Sequence, residues 1–440
     1  MPHLRALAGR RARRRPESTS SRSTGLRLAA TATLAASLAF VTACSDDSDG
    51  GGTTPTATGS ATAQSLLGAV DKASGEPIKI GLITDGQSVV ANLTIQNRVA
   101  EATAKWLNEH RGGIAGRPIE FTICETDNDP AKAADCGNKM IEEDVPAVLI
   151  GTSGVGPDAW KPLGDADIPV MIFGTSDPDM LTDPATFILG DPTFGVIDMP
   201  IQVAQDEGNK KVTSIVIDVP AALHSAQDIA PPLFDKAGIG YELLRVAPGT
   251  ADMTPQMQQV KSNGSDQVFI IGNDTFCISA MNGLKAVGFT GTISAISQCF
   301  SDATRKAVSG DVLEGIVVSA FAPIGTDNPS AALYKEVVDT YGKDIDLSNQ
   351  DGMVMFTIAS GFHAALTGLT GDITPQSITA AIKGMKETEL PGAGGLKFRC
   401  NGKAHPESPA SCVRGGLVTT LDDKGQPSEY KVLGNTSVED

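Results

Sequence analysis

Basic residues are scarce in this 440-residue chain once its N-terminal region is set aside. The sequence contains 35 lysines and arginines against 52 aspartates and glutamates, and residues 1–43 hold eight of the arginines and one of the glutamates. The rest of the chain keeps 27 basic and 51 acidic residues, a net charge of about −24. Such a surface repels nucleic acid, and no compact Lys/Arg cluster offsets it, so the sequence disfavours a nucleic-acid partner.

Catalytic motifs are also lacking. Only four of the five histidines lie beyond residue 43, and the chain has no Gly-x-Ser-x-Gly elbow, no P-loop and no His-Glu-x-x-His. Gly151, Gly154 and Gly156 do not have the spacing of a dinucleotide-binding loop. We therefore expect no enzyme activity, no cofactor and no metal centre.

Long hydrophobic runs are missing as well. The apolar stretch from Leu28 to Val41 has 14 residues, whereas a membrane-spanning helix needs roughly 20. A basic stretch precedes it, and Val41-Thr42-Ala43-Cys44 follows it, an order typical of a secretory signal. The last four residues resemble a bacterial lipobox, which implies cleavage before Cys44 and a lipid anchor on that cysteine. An ordinary signal peptide with a chance cysteine is the alternative.

A flexible tether follows the predicted signal peptide of residues 1–43. Residues 45–65 contain three aspartates, three consecutive glycines and a Thr/Ala/Ser run without apolar periodicity, so we assign 44–76 to the anchor and its tether. The remaining length exceeds what a single hydrophobic core usually serves, which favours two domains.

The chain has seven cysteines, and six remain if Cys44 is lipidated. An even number in an oxidising compartment suggests disulfides. Because many connectivities are possible, the choice of sequential pairs is based on their closeness in the chain: Cys124 with Cys136, Cys277 with Cys299, and Cys400 with Cys412. A metal site formed by Cys400, His405 and Cys412 is the alternative, although its spacing is not that of a zinc motif.

Short apolar runs alternate with amphipathic segments from Pro77 onward. This alternation predicts parallel βαβ units, and it runs through two successive series, so the expected fold class is α/β with two Rossmann-like lobes, each with its own parallel sheet. The predicted strands are 78–83, 119–124, 147–150 and 169–173 in the first series, and 212–217, 241–246, 268–271, 292–296 and 315–319 in the second.

Four motifs then identify a family resemblance. They are Ile78-Lys79-Ile80-Gly81, Gly112-Gly113-Ile114-Ala115-Gly116-Arg117-Pro118-Ile119, Asp127-Asn128-Asp129-Pro130-Ala131-Lys132-Ala133, and Ile168-Pro169-Val170. Together they resemble the leucine/isoleucine/valine-binding type of solute-binding protein of ABC transporters, which has the type I periplasmic-binding fold. The resemblance covers about 77–432. It implies three crossings between the lobes, with one lobe at 77–192 and 323–370, the other at 193–322 and 371–435, and a tail at 436–440.

The resemblance also implies where a ligand binds. In the family, two loops of the first lobe clasp an amino-acid carboxylate with hydroxyl and backbone N–H groups, and these loops correspond to 151–156 and 174–177. The implied contacts are Ser153, Gly154, Gly174 and Ser176, with Thr175 adjacent. Without the resemblance, Ser/Thr/Gly loops are simply turn formers and helix caps.

Other positions depart from the family pattern. The loop after the first strand, 84–90, has no aromatic residue, although its Asp85 is a candidate ligand contact. The second-lobe loop 218–224, which usually offers a tyrosine, contains His224 instead. His224 is either a cleft residue or a surface or capping histidine. Asp274 is a candidate partner for a ligand ammonium or the N-cap of the next helix, and Phe276 is a candidate to stack on the ligand or to pack in the core.

The sequence therefore predicts an extracytoplasmic, lipid-anchored and monomeric solute-binding protein that delivers a small polar solute to an ABC permease. By resemblance, an amino acid such as a branched-chain one is the leading ligand. The alternative is a ligand-sensing lipoprotein that binds a small carboxylate, amide or urea-like compound and acts on a membrane receptor.

Overall fold

The computed structural model describes residues 66–88, 91–219, 222–223, 225–325 and 327–439. Its first sheet has five strands, all parallel, in the order β2-β1-β3-β4-β5. The strands are β1 (Ile78–Thr84), β2 (Ile119–Glu125), β3 (Val148–Ile150), β4 (Val170–Ile172) and β5 (Thr186–Ile188). The helices between them are Ile95–His110, Pro130–Glu142, Gly156–Asp165 and Pro178–Thr182.

The second sheet has seven strands in the order β14-β13-β10-β9-β8-β6-β7. Its parallel strands are β6 (Lys211–Ile217), β7 (Gly240–Val246), β8 (Gln267–Ile271), β9 (Thr292–Ala295) and β10 (Val317–Ala320). β13 (Gly416–Leu421) and β14 (Pro427–Leu433) extend it as antiparallel strands. The associated helices are Met199–Glu207, Ala230–Lys236, Thr254–Ser262, Asp274–Ala286, Asp302–Ala307 and Gly310–Leu313.

Three further helices and a short strand pair lie between the end of β10 and the start of β13. They are the helices Pro329–Tyr341, Gln350–Ala365 and Pro375–Gly384, and the short antiparallel pair β11 (Thr388–Glu389) and β12 (Lys397–Phe398).

Alternating side chains of the first sheet pack into two separate cores. Ile80 and Leu82 lie in the buried cluster that includes residues of helices 95–110 and 350–365, whereas Ile83 lies in the cluster with helices 130–142 and 156–165. Because successive side chains of a strand point to opposite faces, this alternation is what a sheet covered by helices on both faces requires.

The helix Pro130–Glu142 shows how local sequence sets these bounds. Asp129 lies at its N-cap, where its side chain accepts the Lys132 N–H at 3.0 Å. Pro130 follows at the first helical position, where its missing N–H has no cost. Ala133, Cys136 and Met140 are buried on one face of the helix, so capping and an apolar stripe act together.

The predicted α/β fold class is confirmed, and every strand predicted from the sequence is present within two residues of its predicted bounds. The strand β5, the short pair β11 and β12, the antiparallel strands β13 and β14, and the helices after residue 328 were not predicted. The domain boundaries stay a prediction, but the packing differs from them in one respect. Ile378, Leu390 and Phe398 belong to the buried cluster of the first sheet, whereas the predicted boundaries assign 371–435 to the second lobe.

Three disulfides join the cysteines in the sequential pairs. They are Cys124–Cys136, Cys277–Cys299 and Cys400–Cys412. The alternative metal site is therefore wrong, since Cys400 and Cys412 are bonded to each other, and no group of three His, Cys, Asp or Glu in the described part of the chain could hold a metal ion.

No helix within the described residues combines the length and apolar character that a membrane span requires. Cys44, the predicted signal peptide and most of the predicted tether lie outside the described residues.

Candidate functional site

Four loops of the first sheet lie at one edge, because each follows the carboxyl end of a parallel strand. They begin after β1, β2, β3 and β4, near residues 85, 126, 151 and 173. In open parallel sheets this edge is where ligands bind, since backbone N–H groups at the starts of the following helices point towards it. The two loops that are predicted to clasp a ligand, 151–156 and 174–177, are those that follow β3 and β4.

Asp85 is buried at the centre of this edge, with 3% of its surface exposed. Its Oδ1 accepts hydrogen bonds from Thr126 Oγ1 at 2.7 Å and from Ser153 Oγ at 2.5 Å. Its Oδ2 accepts the Gly154 N–H at 2.9 Å. One carboxylate thus joins the loops that follow β1, β2 and β3.

Two predicted ligand contacts, Ser153 and Gly154, therefore already have a partner within the chain. The Ser153 hydroxyl donates to Asp85, and its oxygen accepts the Val155 N–H at 3.1 Å. A hydroxyl has one hydrogen to donate, so Ser153 cannot donate to a ligand without giving up Asp85. Their role as direct ligand contacts stays a prediction.

The loop after β4 is more open. Gly174 and Ser176 are exposed, and Thr175 is half-buried. Thr175 Oγ1 accepts the Asp177 N–H at 3.1 Å and contacts the Met180 sulfur at 3.5 Å. A side chain added at Gly174 would meet no atom within 4 Å, so this loop leaves room for another molecule.

The three segments by which the chain passes between the two sheets surround one cavity of about 110 Å³. They are 188–195, 319–321 and 415–417. Phe173, Gly174 and Thr175 after β4, and Ala393 and Leu396 before β12, also line the cavity. Gly174 and Thr175 are thus the predicted site residues that line this cavity.

An aromatic pair forms part of the cavity wall. Phe173 follows β4 and Phe321 follows β10, and their rings meet edge to face with centroids 5.7 Å apart. Phe321 is 46% exposed, an unusual position for a phenylalanine. The other residues of the cavity wall are mainly glycine and aliphatic residues together with Phe194, and the polar exceptions are Thr175, Asp191 and Ser319.

Asp191 anchors the crossings next to the cavity. It accepts N–H bonds from Thr193 and Phe194 on its own crossing and from Gly415 on another, and its Oδ2 lies 3.0 Å from His405 Nε2. Gly415 has a φ of +82°, and a side chain there would meet the Leu433 carbonyl, so only glycine fits.

Burial and neighbouring charges shift the pKa values of three side chains at or beside these crossings, which we call the hinge: Asp191, His405 and Asp198. Burial alone would raise the pKa of Asp191, but the hydrogen bond and charge of His405 and backbone N–H groups outweigh it and hold that pKa below its ordinary value. Burial would lower the pKa of His405, yet the Asp191 carboxylate raises it overall. Burial raises the pKa of the neighbouring Asp198, and the charge of Asp191 adds to this effect.

The second-lobe candidates are placed differently from one another. Asp274 is half-buried in the first turn of helix 274–286 and accepts a hydrogen bond from Ser301 Oγ at 2.8 Å. The hydrogen bond from Ser301 is the main cause that lowers the pKa of Asp274. The interpretation of Asp274 as the N-cap is wrong by one residue, because Asn273 occupies that position and accepts the Phe276 N–H.

Phe276 is buried in the core of the second sheet with 3% exposure, which places it among core side chains and away from solvent. His224 lies outside the described residues. The Cys277–Cys299 disulfide ties the start of helix 274–286 to the short helix after β9, at the carboxyl edge of the second sheet.

Sequence reasoning missed Phe173, Phe321 and Asp191 as cavity residues. Phe173 ends a predicted strand and was interpreted as part of it. Phe321 follows the last predicted strand, and no hydrophobic periodicity in the sequence indicates that a single aromatic residue after a strand is exposed. Asp191 was not considered, since its partners Gly415 and His405 lie more than two hundred residues away.

The family model described as periplasmic binding protein matches residues 77–416. A curated relative from Brucella suis biovar 1 (strain 1330), the Leu/Ile/Val-binding protein homolog 6, is 25% identical over 242 residues, which is 52% of this chain and 61% of the relative. The chain thus spans about six tenths of the curated relatives it matches.

Solved structures share the fold at lower identity. One described as a branched-chain amino acid ABC transporter from Rhodospirillum rubrum superimposes with a TM-score of 0.68 at 16% identity, over 81% of this chain and 100% of that one. The substrate-binding protein LivJ from Streptococcus pneumoniae, in complex with isoleucine, gives a TM-score of 0.56 at 17% identity, over 81% and 99% of the two chains.

Proposed function

Because the chain belongs to the periplasmic binding protein family, we propose that it binds one small polar solute between its two lobes and passes that solute to an ABC permease. The observation that carries the proposal is the cavity at the meeting point of all three crossings. A ligand held there contacts both lobes at once, so its binding favours a closed arrangement over an open one.

The proposed ligand is an amino acid or a derivative of one. The curated relatives are named for leucine, isoleucine and valine, and one structural neighbour holds isoleucine. The aromatic and aliphatic cavity wall supports a ligand with an apolar side chain, and the open loop at Gly174 and Ser176 supports polar contacts beside it. Asp274, across the second-sheet edge, is the proposed partner of a ligand amine.

The proposed location is the outer face of the cell membrane, with Cys44 as the lipidated residue and the chain acting as a monomer. The signal-like N-terminal sequence and the acidic composition support this location. The three disulfides also support it, since disulfides form and persist in oxidising compartments. We propose no chemical step, because transport requires only binding and release.

A thermal-shift screen of purified protein tests this function. Amino acids, their amides and small carboxylates are added one at a time, and at least one is expected to raise the melting temperature. A solute that binds only the folded state stabilises it by about 2.7 kcal/mol at 100 times its dissociation constant. A complete screen without any stabilising solute would speak against solute binding.

A further inference from the structure

The Asp85 carboxylate has the hydrogen-bonding pattern of a bound anion. Its three partners among the described residues, Thr126 Oγ1, Ser153 Oγ and the Gly154 N–H, are all donors. An ionised carboxylate only accepts hydrogen bonds, so this set suits the charged form. The partners are two hydroxyls and one backbone amide. None of them carries a positive charge that would balance the Asp85 carboxylate.

These partners include the groups that the family resemblance assigns to a ligand carboxylate. Ser153 Oγ lies 2.5 Å and the Gly154 nitrogen lies 2.9 Å from oxygens of Asp85. Both donors are bonded to the side chain of Asp85, a residue that is only 3% exposed. A ligand carboxylate arriving at this loop would find its donors engaged and a like charge in place.

The cavity between the lobes gives a second, independent indication. Among the described residues that line it, none is Lys, Arg or His, and one is Asp191. A carboxylate entering this cavity would therefore lose water without gaining a basic partner, which is costly for a charged group. A neutral head group has a smaller desolvation cost, and a positively charged head group would lie beside the Asp191 carboxylate.

We propose that Asp85 is a specificity-determining residue. Its carboxylate occupies the anion position formed by Ser153 and Gly154, so that the cleft selects solutes with a neutral or cationic head group, such as amides and amines, over carboxylates. This inference rests on the proposed function, since it names the solute class for the same cleft. It moves the preferred ligand from a free amino acid to a derivative without the free carboxylate.

Matched ligand pairs test the selectivity. Leucine with leucinamide, and benzoate with benzamide, differ mainly in the charge of one group, and calorimetry measures the affinity of each. Of the two amides, the one that the unaltered protein binds more tightly is expected to bind at least about tenfold more tightly than the carboxylate of the same pair. Asp85→Ala, which frees Ser153 and Gly154, is expected to reverse this preference. A wild-type preference for the carboxylates would overturn the inference.

Chemical rescue provides a measurement that does not need the natural solute. Asp85→Ala leaves donors without an acceptor and is expected to melt at a lower temperature than the unaltered protein. Acetate or formate fits the vacated space and is expected to raise that melting temperature by several degrees, whereas chloride at equal ionic strength does not. Asp85→Asn, which keeps the size of the side chain, is a second variant in case the alanine variant does not fold.

Asp129→Ala is the matched control. It removes an exposed carboxylate that accepts a backbone N–H one loop away, so acetate should not rescue it. If acetate stabilises Asp85→Ala no more than Asp129→Ala, the anion position does not exist and the inference fails. The proposed function fails separately, if the unaltered protein binds no solute at all while Asp85→Ala still responds to acetate.

Discussion

Asp191→Ala is expected to lower the free energy of unfolding by about 3 kcal/mol or more. The Asp191 side chain is 2% exposed, pairs with His405 and accepts N–H bonds from Thr193, Phe194 and Gly415. Alanine would leave these donors without an acceptor at the point where the chain crosses between the lobes. The cost of unsatisfied buried donors outweighs the small gain from removing one buried charge.

The stability lost in Asp191→Ala should be larger at weakly acidic pH than at alkaline pH. The pKa of His405 is raised above its ordinary 6.5, so its contribution is complete below that pH and disappears as the pH rises through the folded-state pKa. The pKa of Asp191 is lowered below its ordinary 3.8, so its contribution is present above that pH and disappears as the pH falls through the folded-state pKa. The ion pair therefore stabilises the protein most between these two ordinary values.

Urea denaturation of the unaltered protein and of Asp191→Ala at about pH 5 and about pH 8.5 measures this dependence. Asp165→Ala is the control, because Asp165 forms an exposed pair with Lys161 on the surface of one helix. Its loss should stay within about 0.5 kcal/mol at both pH values. An Asp191→Ala loss no larger than this control, or a loss that grows towards alkaline pH, would contradict the hinge assignment.

Cys44→Ala is expected to move nearly all of the protein from the membrane fraction to the soluble fraction. The substitution removes the proposed site of lipid attachment, and each buried methylene of a lipid chain contributes about 0.8 kcal/mol to anchoring. The apolar run that ends at Val41 is shorter than the roughly 20 residues of a membrane span, so it offers no second anchor of that kind.

Detergent-phase partitioning of the two proteins, with mass spectrometry of their N-termini, provides the measurement. Ser45→Ala keeps Cys44 and should partition like the unaltered protein. A Cys44→Ala protein that still enters the detergent phase would show that lipidation of Cys44 is not the anchor.

The strands could be predicted from the sequence because each is a short apolar run bounded by turn residues. Val148–Ile150 and Gln267–Ile271, for example, are buried along their full length, as strands covered by helices on both faces must be. The strands β13 and β14 were missed because they follow a long segment without βα alternation. Their place beside β10 depends on pairing across about one hundred residues.

The candidate site was predicted only in part. Loop positions such as Gly174 could be located because parallel strands deliver their following loops to one edge. The partner of Ser153 could not be predicted, since sequence spacing does not indicate that Asp85, 68 residues earlier, accepts the hydrogen bond of the Ser153 hydroxyl. The contact of Asp191 with His405 is of the same kind, because it joins the first crossing to the loop before β13, and only the folded chain brings these two segments together.

Calorimetric titration of a screened solute into three proteins tests binding between the lobes most directly. Gly174→Trp adds a large side chain to the cavity wall at an exposed position with free space, and Gly384→Trp makes the same change at an exposed glycine outside the cavity. We predict one binding site per chain in the unaltered protein and in Gly384→Trp, and an affinity at least about a hundredfold weaker in Gly174→Trp with an unchanged melting temperature. Equal affinity in all three proteins would contradict binding in this cleft.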